Sequence, residues 1–138
     1  MKKKTFGRLL FILCMSLIFT QVNAQTIKLS EKKVDLALKN CMIALNSNVD
    51  GLVESAMSKI ILFNRQYPDV DYSKIVSALD QLTINGKTTI IKHKAFLTKI
   101  YIQNPDLFQS IRLLNKENEN ENFKLIISKL ENEIFASN

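Results

Sequence analysis

Only three glycines and two prolines interrupt this chain, and between them apolar residues recur at steps of three and four. That period fits one face of an α-helix and not the alternation of a strand. Residues 30–45 form a first helix, with Ser30 as N-cap and Val34, Leu38, Cys41 and Leu45 as its apolar stripe. A second covers residues 50–67: Leu52, Val53, Ala56, Met57, Ile60, Phe63 and Tyr67 share one half, Glu54, Ser58 and Arg65 lie opposite, and Pro68 ends it. The third spans residues 72–84, burying Ile75, Ala78, Leu79 and Leu82 before a helix-ending turn at Asn85-Gly86. The fourth, residues 88–103, is apolar nearly all round, which predicts a helix sandwiched between neighbours. Asn104-Pro105-Asp106 then starts a short fifth helix presenting Leu107, Phe108, Ile111 and Leu114. Residues 115–122 (NKENENEN) read as a solvated loop, and Phe123, Ile126, Ile127, Leu130 and Ile134 mark a last amphipathic helix. The expectation is an all-α fold of six helices in three sequential antiparallel hairpins, with an irregular helical bundle as the alternative.

The first 24 residues have a different character. Lys2, Lys3, Lys4 and Arg8 precede an apolar run over residues 9–19, and Val22 and Ala24 stand at the small-residue positions that signal peptidase reads. This is the layout of a secretory signal, with residues 25–138 as one mature domain beginning at Gln25. The apolar run is too short for a membrane anchor, since crossing the hydrocarbon core takes about 20 apolar residues. Cys14 makes a poor lipidation site because Ile12 and Leu13, not small residues, precede it. Export to the periplasm or the medium is therefore expected, with no transmembrane segment in the mature form.

Removing the leader changes the charge balance. Four of the 19 basic residues lie in it and none of the 13 acidic ones, which leaves 15 against 13 and a net charge of +2. A nucleic-acid-binding domain would keep a strong positive excess, so nucleic acid is not an expected partner. Cys41 is the one cysteine left. No internal disulfide can form, and its place on an apolar stripe reads as packing.

The chain also resembles itself. Lys59-Ile60-Ile61-Leu62 is followed by Gln66-Tyr67-Pro68-Asp69-Val70, and Lys99-Ile100-Tyr101-Ile102 by Gln103-Asn104-Pro105-Asp106-Leu107. The lysines are 40 apart, the prolines 37, and Ala56 and Ala95 are 39 apart. A period near 40 with two helices per unit is the spacing of HEAT-type solenoids. The segment Asp50-Gly51-Leu52-Val53-Glu54-Ser55-Ala56 resembles the HEAT stretch in which an Asp caps the second helix, a Val packs inward and an Ala follows. It departs at Gly51, where the family often has Pro, and at Glu54, where it usually has Arg, so the family's Asp–Arg ladder between units is missing. The resemblance implies a short HEAT-like α-solenoid whose second helices line a concave side and whose charged third unit acts as a cap.

Little in the sequence supports catalysis. The single histidine, His93, lies inside the fourth helix with no partner in reach by sequence. There is no CxxC or HExxH to hold a metal, and the isolated glycines Gly7, Gly51 and Gly86 cannot form a phosphate-cradling loop. No catalytic residue, cofactor or metal is assigned. Binding surface is the remaining chemistry: Lys92, Phe96 and Lys99 share one side of the fourth helix, and Ser58, Leu62 and Arg65 one side of the second. These six residues are the candidate contacts of a non-catalytic scaffold for another envelope or secreted protein. The alternative function is a small helical bundle that binds an apolar ligand or an envelope surface.

Overall fold

The computed structural model describes residues 31–114 and 119–136, and everything in them that is regular is helical. The leader assigned to residues 1–24, the cap at Ser30 and the first half of the polar 115–122 stretch lie outside the described residues. Five α-helices follow one another: α1 (Glu31–Leu45), α2 (Asp50–Gln66), α3 (Ser73–Asn85), α4 (Thr89–Gln103) and α5 (Glu119–Ala136), with one 3-10 turn at Asp106–Phe108 between the last two. The all-α expectation holds, and the first four helices fall within a residue or so of their expected bounds.

Short connections fold α1 back on α2 and α3 back on α4, and within each pair the helices pack together. The pairs then stack: α2 lies against α4, α1 against α3, and α5 lies on both α2 and α4. Val53, Met57, Ile60 and Ile61 from α2 meet Leu79 from α3, Ile91, Ala95 and Leu97 from α4, and Phe123 and Ile126 from α5 in one continuous core. No single hairpin could enclose residues such as Met57, Ile60 and Leu79, which are fully buried. At about 25 cal/mol per Å² of apolar surface, each such side chain contributes roughly 1.5–3 kcal/mol only once its neighbours are in place.

Both second helices end in the same way. The residue before each proline closes the helix, Tyr67 at φ −132°, ψ 66° and Asn104 at φ −129°, ψ 62°. Each cap N–H bonds the carbonyl four residues back, Phe63 in one and Ile100 in the other. The proline ring disfavours helical backbone in the residue before it, so the chain leaves the helix at the same step in both places.

Three expectations are corrected. The third hairpin is absent among the described residues, because its fifth helix shrinks to the 3-10 turn. Phe108 is fully buried there and stacks on Tyr101 with ring centroids 5.1 Å apart. Arg65 reaches over from α2 to the carbonyls of Phe108 (3.4 Å) and Gln109 (3.0 Å), occupying acceptors that a continuing helix would use itself. The polar loop is also shorter than expected, since α5 already includes Asn122. That side chain is buried and spans Leu114, accepting from its N–H at 2.8 Å and donating to its carbonyl at 2.9 Å. Finally, Asp50 does not cap α2. The N-cap is Val49, and Asp50 sits in the first turn facing Lys87 at 3.7 Å.

Candidate functional site

Helix α4 carries more apolar surface than its neighbours cover. Ile91, Ala95, Leu97 and Tyr101 are buried, yet Ile90 remains 59% exposed and Phe96 41%. An open groove of about 360 Å³ runs along the line where α4 meets α5. Thr89, Ile90, His93, Lys94 and Leu97 line it from α4, and Asn120, Phe123, Lys124 and Ile127 from α5. Three of these nine residues are basic or histidine and none is acidic.

The groove's geometry is fixed by Lys94. Its ammonium is largely buried, 2.6 Å from Glu54 on α2 and 2.7 Å from the Asn120 side chain on α5, and it stands 5.1 Å from the centre of the Phe123 ring. One cation thus ties three helices together. Thr88 accepts the Ile91 N–H at 3.2 Å, which starts α4 sharply and leaves Ile90 in its first turn at the mouth of the groove.

The six sequence-derived contact residues do not form one surface. Ser58 is buried at 2% exposure and is withdrawn as a contact, because α2 is packed on by α1, α4 and α5 together. Leu62 is half-buried. Arg65 spends its guanidinium on the Phe108 and Gln109 carbonyls. On α4, Lys99 is paired with Asp80 of α3 at 2.6 Å, while Lys92 and Phe96 are exposed. Helix α5 packs on both α2 and α4, meeting α4 through the Thr89, His93 and Lys94 side and leaving Phe96 and Lys92 exposed. Phe96 adjoins the groove, since it follows His93 by three residues and Thr89 by seven, whereas Lys92 is turned toward the end of α3, its Cγ 3.1 Å from where a Cβ on Gly86 would lie.

A second, smaller hollow of about 220 Å³ lies where α2 and α4 end, lined by Asn64, Arg65, Pro68, Tyr101, Pro105 and Gln109. The two prolines of the similar Q-x-P-D stretches meet here. Two helix C-termini point partial negative charge at this spot, and Arg65 offsets it, so the hollow already has its ion. Burial raises the Tyr101 phenol above the usual tyrosine range, partly opposed by Arg65 beside it. Cys41 is half-buried with its thiol pushed up by desolvation, away from the thiolate a reactive cysteine needs. Among the described residues no three His, Cys, Asp or Glu side chains gather in a way that could hold a metal, and no helix is long and apolar enough to cross a membrane.

The groove was hidden in the sequence because Ile90, Leu97, Phe123 and Ile127 look like ordinary core positions. The signal was an excess: a helix apolar nearly all round implies more neighbours than a chain of this length supplies. The chain matches no family model, and no match to it was found among curated proteins or solved structures.

Proposed function

We propose that this protein is an exported, non-catalytic helical scaffold that holds another envelope or secreted protein against the α4–α5 groove and the adjoining Phe96. The observation that carries the reading is the groove itself, an apolar channel open to solvent, walled by two helices that Lys94 holds in place. Export rests on the basic, apolar and small-residue order of residues 1–24.

The HEAT-like relationship belongs to the same proposal. Support comes from two hairpins stacked with second helix on second helix, and from the matching closures at Tyr67 and Asn104. The family's Asp–Arg ladder has a counterpart here in Asp50–Lys87 and Glu54–Lys94, which join residues 37 and 40 apart across the two hairpins. The competing reading, a bundle that takes up a small apolar ligand, draws on the apolar lining. It is disfavoured by the open side, because small-molecule sites enclose most of their ligand.

Photo-crosslinking tests the scaffold reading. A photoreactive residue at Ile90 or Phe96, in cells making the protein, should capture one protein reproducibly, and the captured form should begin at Gln25 by mass spectrometry. The same probe at Leu36, exposed on α1, should not capture it. Capture of lipid alone from Ile90, or an intact Met1 on the exported form, would overturn the corresponding half of the reading.

A further inference from the structure

We infer that Asn85 is a spontaneous modification site held shut by the fold: its side-chain amide becomes a carboxylate when the end of α3 opens, and the closed turn stops that reaction. The reactive pair is visible in the sequence, since of the three glycines only Gly86 follows an asparagine. The chemistry needs no catalyst and no oxidant. The backbone nitrogen of Gly86 attacks Asn85 Cγ, and a new C–N bond closes a five-membered succinimide. The side-chain nitrogen leaves as ammonia, carrying the proton that Gly86 gives up. Water then adds to one or other ring carbonyl and breaks its bond to the ring nitrogen, leaving aspartate or its β-linked isomer. Glycine in second place favours the attack, because it has no Cβ to obstruct the approach and its backbone turns freely.

The structure withholds what the attack requires. Gly86 is buried, and its N–H donates to the Leu82 carbonyl at 2.9 Å, closing the last turn of α3. Asn85 is the final residue of that helix. With helical backbone there, the Gly86 nitrogen is aimed along the helix at Leu82 and not at the Asn85 side chain. That side chain is exposed and turned back by one turn, its Nδ2 donating to Gln81 Oε1 at 3.3 Å. Reaction therefore waits for the Gly86–Leu82 bond to break and for Gly86 to leave its packed position. In the folded protein, conversion runs at the rate of the open turn multiplied by the fraction of time it is open. The β-linked product does not close the same turn. It adds one carbon to the main chain where a Cβ on Gly86 would already collide with the Leu82 oxygen, and it sets a carboxylate at the negative end of the α3 dipole. Each opening that reacts is thereby made permanent.

Peptide-resolved mass spectrometry tests this on the exported form of the protein, incubated in mildly alkaline buffer with and without denaturing urea. A synthetic peptide of residues 81–90 serves as the same sequence without the fold. The gain in mass from exchanging an amide for a carboxylate at Asn85 is followed over time. Peptide and urea-unfolded chain should convert at similar rates, and the folded protein at least about tenfold more slowly. In urea Asn85 should also outrun Asn46, whose successor Ser47 carries a side chain. Chains converted in urea, separated by charge and refolded, should melt at a lower urea concentration than unconverted ones. Asn85→Asp, which has the new charge on an ordinary main chain, should lose less. Conversion of the folded protein as fast as the peptide would overturn the protection by the turn. Absence of conversion in the peptide or in urea would overturn the site itself. Converted chains that melt like the unconverted protein would overturn the claim that the product does not fit the turn.

Discussion

At Gly86 a methyl group would have nowhere to go. A Cβ built there lies 2.5 Å from the Leu82 carbonyl oxygen, 3.0 Å from Ile91 Cγ2 and 3.1 Å from Lys92 Cγ. The backbone is not left-handed (φ −56°, ψ 143°), so this glycine ends α3 by allowing close approach and not by supplying a positive φ. Gly86→Ala should therefore cost about 1–3 kcal/mol, read as a lower denaturant midpoint. Gly51→Ala should do the opposite. Nothing lies within 4 Å of its Cβ position and it sits at the second residue of α2, so a gain of about 0.5–1 kcal/mol follows from helix propensity. Tyr72 supplies the pH dependence. Desolvation raises its phenol well above the ordinary value near 10, while its hydroxyl donates to the Tyr67 carbonyl at 3.0 Å. A group whose pKa is raised on folding stabilises fully below its unfolded pKa, and that stability is lost as pH climbs from about 10 toward the folded value. Tyr72→Phe should cost about 1 kcal/mol at neutral pH and flatten the alkaline loss, leaving the part due to Tyr101. Urea melts at about pH 8 and about pH 11 would separate the two effects.

Among the elements, the ion pairs between hairpins differ in worth although they look alike on paper. Lys94 and Glu54 have side chains only 13% and 27% exposed, whereas Lys87 and Asp50 are 65% and 41% exposed. Removing Glu54 would strand a largely buried ammonium with one amide for company, at a cost of about 2–3 kcal/mol. A double-mutant cycle on Glu54 and Lys94 should show coupling above about 1 kcal/mol, and one on Asp50 and Lys87 less than about 0.5 kcal/mol. Equal coupling in the two cycles would contradict the role given to Lys94. Four helices were legible in the sequence because a buried stripe runs through each and Pro68, Gly86 and Pro105 mark the ends of α2, α3 and α4. The stretch after Pro105 was not. Its apolar residues keep a helical spacing, but the Arg65 and Asn122 side chains claim backbone groups there from 43 and 8 residues away. No local pattern encodes partners that distant, and Asn122 itself was masked by the polar repeat around it.

For the whole molecule, the sequence carried the stacking better than the site. Similar stretches 40 residues apart do end as similar closures on neighbouring parallel helices, and the surplus of apolar residues on α4 did forecast a neighbour. That neighbour is α5, which lies on α2 and α4 and creates the groove by covering α4 incompletely. The stripe of Ser58, Leu62 and Arg65 failed as a contact surface because Ser58 is buried and Arg65 is held by the Phe108 and Gln109 carbonyls; helical periodicity locates a face without saying which later element returns to it. The most direct test uses methyl-labelled isoleucine and leucine and the partner recovered by crosslinking. On titration, the methyl signals of Ile90, Leu97 and Ile127 should shift or broaden, while those of Leu36 and Ile43 on α1 and Ile84 on α3 stay still. Perturbation confined to Leu36, Ile43 or Ile84, with the three groove residues silent, would contradict the binding role given to α4 and α5.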